Sequence, residues 1–101
     1  MKIILVCNAG MSTSMLVQRM VKAAKAQNID LEISAVPVTA ILKSTINCDI
    51  VMLGPQVRHQ IKPVQDIAGN IPVVIIDMRA YGLMDGKKVL ADAIETIDNN
   101  R

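Results

Sequence analysis

Ile3-Ile4-Leu5-Val6 is an unbroken apolar run that stops at Asn8-Ala9-Gly10, the pattern of a strand buried on both faces and closed by a turn. From about Ser12 the spacing becomes helical. Leu16, Val17, Met20, Val21 and Ala24 fall on one face, Gln18, Arg19, Lys22 and Lys25 on the other, and Asn28 supplies a stop. Leu31, Ile33 and Ala35 then alternate with Glu32 and Ser34, which predicts a half-exposed strand at a sheet edge. Pro37 opens a short helix or loop that runs to about Ser44. A second continuous run, Ile50-Val51-Met52-Leu53, ends at Gly54-Pro55. Val57, Ile61, Val64 and Ile67 resume helical spacing, with Pro63 forcing a kink or a restart. Residues 73–76 predict the fourth strand and 77–86 a loop. Val89, Leu90, Ala93, Ile94 and Ile97 line a final amphipathic helix.

Four strands alternating with helices predict one α/β domain over residues 1–101. Its sheet is parallel, its crossovers right-handed and its helices lie on both faces. With the second strand at an edge, the spatial order is 2-1-3-4. The site then lies beyond the carboxyl ends of the strands, where the winding direction reverses between strands one and three. That point brings Cys7 towards Gly54-Pro55-Gln56.

Composition agrees with this layering. The chain is 51% hydrophobic but 1% aromatic, so the core is built from aliphatic side chains and from Met, for which gap-filling is the commoner role. A formal charge of +2, with no basic cluster and no interleaved aromatics, gives nucleic-acid binding little support. No stretch approaches the roughly 20 apolar residues needed to cross a bilayer, and the short run after Met1-Lys2 lacks the form of a signal peptide, so a cytoplasmic location is expected. Cys7 and Cys48 match no metal-ligand spacing, and in a reducing compartment both are expected as thiols.

The chemistry concentrates in Cys7-Asn8-Ala9-Gly10-Met11-Ser12-Thr13-Ser14. A cysteine between a buried strand and a helix entrance sits near several amide N–H groups without intrahelical partners, where the helix dipole adds partial positive charge. Ala9 and Gly10 let the backbone wrap an anion, and the three hydroxyls can cap the helix or donate to phosphate oxygens. A cysteine closing an apolar strand is by itself more often a small buried hydrophobe. The turn is what favours a functional thiol, because packing alone needs neither Gly nor three hydroxyls. The run contains no Lys or Arg, and Thr13 stands six positions after Cys7, where a cysteine phosphatase of this fold type carries its closing arginine. Without that bidentate clamp the loop suits a phosphoryl carrier better than a hydrolase.

The same segment resembles the signature of the IIB components of the bacterial sugar phosphotransferase system, in the lactose/cellobiose/diacetylchitobiose class. Val51-Met52-Leu53-Gly54-Pro55-Gln56 and Tyr81-Gly82-Leu83-Met84-Asp85-Gly86 agree with it, and the resemblance spans essentially the whole chain. It implies a phosphotransferase working through phosphocysteine without metal or organic cofactor. Cys7 would accept a phosphoryl group from a phosphohistidine on a IIA protein. It would then pass the group to a sugar presented by the IIC membrane transporter, with the chain peripherally associated there. On this resemblance Asn8, Ala9, Gly10, Met11, Ser12 and Thr13 form the phosphoryl-binding loop, and Gln56 and Tyr81 lie at its rim. The sugar stays open among several β-linked disaccharides.

Two other classes remain as rivals: a phosphatase or arsenate-reductase-like enzyme, against which Thr13 speaks, and a non-catalytic anion-binding module in which Cys7 merely packs. His59, the single histidine, falls on the polar side of its helix and is expected as a solvated residue. Cys48 is expected to be inert. Asp77 and Asp85 could each serve as a general acid, but turn-forming and capping roles are commoner beside Gly82 and Gly86. Met11, Met15 and Met84 are candidates for an apolar collar around Cys7 on which partners dock.

Overall fold

The computed structural model describes residues 1–8 and 11–100, apart from the side chains of Met11 and Ser12. Strands β1 (Lys2–Cys7), β2 (Glu32–Pro37), β3 (Ile50–Leu53) and β4 (Val73–Ile75) form one parallel sheet in the order β2-β1-β3-β4, as the alternation predicts. Successive side chains of a strand point to opposite faces, and this sorts the aliphatic runs into two cores. Ile3, Leu5, Ile50 and Met52 pack under α1 (Met11–Ala26) and α5 (Gly86–Asn99). Val6, Val51 and Leu53 pack under the side that carries α2 (Val38–Ile41) and α3 (Ile61–Ala68). Asn28 stops α1 in the left-handed region at φ 56°, with Ile29 N–H reaching back to the Ala24 carbonyl at 2.8 Å.

The two halves of the α1 layer meet closely at Gly86. A Cβ there would stand 2.6 Å from both Arg19 Cβ and Met20 N. Glycine is thus required by the approach of α5 to the backbone of α1.

Four details depart from the sequence expectations. In β2, Ile33 and Val36 are half-buried, on opposite cores, while Ala35 is exposed. On an edge strand its methyl is too short to regain cover. The restart expected at Pro63 takes the form of a 3-10 turn at Pro55–Gln60 followed by α3, with Pro63 in the first turn of α3, where its missing N–H costs nothing, but the apolar face differs from the expected one. The restart buries Val64 and Ala68 and turns Ile67 outward. The fourth strand ends at Ile75, although Ile76 remains buried and its N–H still reaches the Leu53 carbonyl at 2.8 Å. The segment expected as a loop contains the five-residue helix α4 (Met78–Gly82), too short for a periodic signal and started by Asp77, whose carboxylate accepts from Ala80 N–H at 2.9 Å.

Candidate functional site

Because β1 lies between β2 and β3, the winding direction reverses beside it, and Cys7 ends β1 at that reversal. Two residues outside the described part separate the exposed Asn8 from Met11, the first residue of the sixteen-residue α1. The entrance of that helix, where amides lack intrahelical acceptors and the dipole is positive, therefore follows the carboxyl end of β1 in the chain. Cys7 is 3% exposed, and its Sγ donates to the Val36 carbonyl at 3.7 Å, within the long range of a weak thiol bond.

The ends of β1 and β3 are tied together next to this sulfur. Gly54 N–H donates to the Val6 carbonyl at 2.8 Å. A Cβ on Gly54 would lie 3.6 Å from the Tyr81 ring and 3.1 Å from Gln56 Oε1, so both side chains close over the end of β3. Gln56 is exposed there. Tyr81 differs from the expectation. It is buried, and its hydroxyl lies 3.3 Å from that of Thr13 in the first turn of α1. Thr13 itself is 1% exposed. It faces inward, and the pair of hydroxyls links the start of α1 to α4.

Of the expected loop, Ala9 and Gly10 fall outside the described residues, as do the side chains of Met11 and Ser12. The backbone of Met11, Ser12 and Thr13 is helical. Of the expected methionine collar, the side chain of Met11 lies outside the described residues. Met15 is on the surface, and Met84 packs against the α1–α5 core and lines a groove with Arg19, Lys22 and Lys87. Met78, which sequence reasoning passed over, is 64% exposed and borders a hollow of about 290 Å³ with Pro55, Gln56, Arg58, Tyr81 and Gly82. Arg58 was missed as well. The cysteine loop has no basic residue, whereas this guanidinium reaches the same end of the sheet from the 3-10 turn, donating to the Pro55 carbonyl at 3.3 Å. The Gly54-Pro55 pair that closes β3 was the available signal for it.

The remaining candidates take bland roles. Asp85 caps α5 by accepting from Lys88 N–H at 3.1 Å, as Asp77 caps α4, so both carboxylates are occupied in capping. His59 is exposed. Cys48 lies before β3 at the opposite end of the sheet, half-buried, with Sγ donating to the Ile50 carbonyl at 3.3 Å. Burial, and secondarily the charge of Asp49, pushes its thiol pKa up. Among the described residues no three His, Cys, Asp or Glu side chains are grouped to hold a metal, and no helix is long and apolar enough to cross a membrane.

With this geometry in view, residues 2–92 match the family model described as PTS system, Lactose/Cellobiose specific IIB subunit. The chain is 39% identical to the oligo-beta-mannoside-specific EIIB component of Bacillus subtilis, over 97% of each chain. It is 42% identical to the galactose-specific and the cellobiose-specific EIIB components of Lactococcus lactis, each over 90% of this chain and 91% of the relative. Among solved structures, a cellobiose-specific phosphotransferase IIB component protein from Borrelia burgdorferi superposes with a TM-score of 0.79 at 45% identity, covering 99% of this chain and 94% of its own. The lactose-specific IIB domain from Streptococcus pneumoniae shares the fold, with a TM-score of 0.82 at 18% identity over 94% and 95% of the two chains.

Proposed function

The chain belongs to the lactose/cellobiose-specific IIB subunit family of the sugar phosphotransferase system, and from that premise we propose that Cys7 is the phosphoryl acceptor of a two-step relay. The observation that carries the reading is the place of Cys7, at the end of β1, at the winding reversal and before the entrance of α1. In the first step Sγ attacks the phosphorus of a phosphohistidine on a IIA partner. The S–P bond forms, the P–N bond breaks, and the thiol proton leaves to the released imidazole or to water. In the second step a sugar hydroxyl held by a IIC membrane transporter attacks the same phosphorus. The O–P bond forms, the S–P bond breaks with its electron pair returning to sulfur, and the hydroxyl proton passes to solvent or base. The loop amides from Asn8 to Thr13 meet the charge of the phosphoryl group in both steps, with Gln56 at the rim. The relatives are named for oligo-β-mannosides, galactose and cellobiose, and a β-linked sugar is the substrate class we assign. The chain acts in the cytoplasm as one domain, against the inner face of the transporter.

The attack requires Cys7 to turn from the Val36 carbonyl towards the loop, an exchange that the 3.7 Å thiol bond opposes only weakly. Reconstitution with phosphoenolpyruvate, the general phosphotransferase proteins and a IIA subunit tests the reading. Intact mass should rise by one phosphoryl group that maps to Cys7, and Cys7→Ser should remove it. Label that persists in Cys7→Ser would reject the assignment. The burial of Cys7 favours one second reading, an anion-binding module in which this thiol only packs. A native-state thiol reagent separates the two: modification of Cys7 held to the rate of global unfolding supports packing, and faster modification supports the relay.

A further inference from the structure

We propose that Tyr81 is a positioning residue for the phosphocysteine, acting through the hydroxyl of Thr13. The inference rests on the reading of Cys7 as phosphoryl acceptor. Tyr81 is the single aromatic residue of a chain without Phe or Trp. An aliphatic side chain could fill its place in a core otherwise built of Ile, Leu, Val and Met, so the phenolic oxygen calls for an account. That oxygen lies 3.3 Å from Thr13 Oγ1, across 68 residues of sequence, and both residues are buried.

The contact joins α1, α4 and the end of β3 at the end of the sheet where β1 closes with Cys7. The Tyr81 ring stands over Gly54, whose N–H holds the Val6 carbonyl one residue before Cys7. Its hydroxyl holds the third residue of α1, within the turn whose amides have no intrahelical acceptor. The base of the ring is itself fixed. Asp77 caps α4, Met84 N–H donates to the Tyr81 carbonyl at 3.0 Å, and Asp85 N–H donates to the Ala80 carbonyl at 2.9 Å. The brace therefore sets the α1 entrance against the ends of β1 and β3 and fixes the rotor of the Thr13 hydroxyl.

Such a brace matters because the run from Cys7 to Ser14 carries neither Lys nor Arg. Within that run only amides and hydroxyls can meet the phosphoryl charge, and dipoles stabilise charge only while aligned with it. A loosened entrance would admit the wasteful reaction. Water attacks phosphorus, the S–P bond breaks with its electrons on sulfur, and inorganic phosphate leaves.

The test charges the full chain on Cys7, removes the donor and follows decay of the phospho-form well below the melting midpoint. Tyr81→Phe keeps the ring and removes the oxygen. Thr13→Val keeps the shape and removes the hydroxyl, and Thr13→Ser restores it. Losing one such bond should quicken decay about three- to tenfold in Tyr81→Phe and in Thr13→Val. The double variant should decay no faster than the quicker single one, and Thr13→Ser should return most of the lifetime. Wild-type decay in Tyr81→Phe with a lowered melting midpoint would show a merely structural contact and overturn the proposal. Single effects that multiply in the double variant, or no rescue by Thr13→Ser, would overturn it too. Absence of label on wild-type Cys7 would sink the relay reading and the brace together, whereas label on Cys7 with unchanged lifetimes would sink the brace alone.

Discussion

The two cysteines stand at opposite ends of one parallel sheet, and their surroundings differ as the ends do. Cys7 follows a strand and precedes a sixteen-residue helix, so helix amides and the positive end of a dipole lie ahead of it. Cys48 precedes a strand, with Asp49 next in sequence and the Ile50 carbonyl accepting its thiol proton. There burial and a neighbouring carboxylate both favour the neutral thiol, and its pKa is raised. Parallel winding is the source of the asymmetry. Every crossover helix begins near the carboxyl ends of the strands, so one end gathers donors suited to an anion. The same side chain thus stands before a helix entrance at one end and beside a carboxylate at the other.

The largest expected effect divides the two directly. Cys7→Ser should bring IIA-dependent phosphorylation to background, while Cys48→Ala should leave its rate within about twofold, read by intact mass over a time course. Loss of label in Cys48→Ala would break the contrast. Next in size is Gly86→Ala, whose methyl would press on the backbone of α1 at Arg19 and Met20. Urea titration should show a loss of about 1–3 kcal/mol, whereas Gly82→Ala, with open space around its added Cβ, should stay within about 0.5 kcal/mol of wild type. Because α1 begins beyond Cys7 while Cys48 lies at the other end of the sheet, Gly86→Ala should slow phosphorylation more than it alters alkylation of Cys48. An equal effect on both thiols would mean that the two ends are mechanically one unit.

A smaller effect concerns pH. The unfolded chain ionises Cys48 first, since the folded state holds that thiol above its ordinary value. Its contribution to stability is complete below the ordinary thiol value and fades as pH rises through the raised one. The urea midpoint should fall between about pH 8 and about pH 10 less steeply in Cys48→Ala than in wild type. Identical slopes would contradict the raised pKa. Smallest of all, His59→Ala should change neither labelling nor stability by more than about 0.5 kcal/mol, as befits an exposed side chain.

Much of this contrast is legible in the sequence. Two continuous apolar runs, each closed by Gly or Pro, marked the central strands, and a single alternating segment marked the edge, which suffices for the order β2-β1-β3-β4. Asp77 and Asp85 were readable as caps because capping is decided within three residues. The errors were of two kinds. Short pieces such as α4 and the 3-10 turn carry too few residues for a period to show. Met84 turned to the α1–α5 core because spacing along a chain does not say which side of a neighbouring helix a flexible side chain will meet.

Strand order, the chemical character of the Cys7 turn and the absence of a basic clamp within it followed from residues acting on near neighbours, where period, turn chemistry and capping operate. The inward turn of Thr13 onto Tyr81, the cover over the Cys7 sulfur, the arrival of Arg58 at the same end and the need for Gly86 came from segments far apart in the chain. Each depends on the relative placement of whole helices packed on a sheet. Close packing of interlocking side chains sets that placement, and no local pattern encodes it.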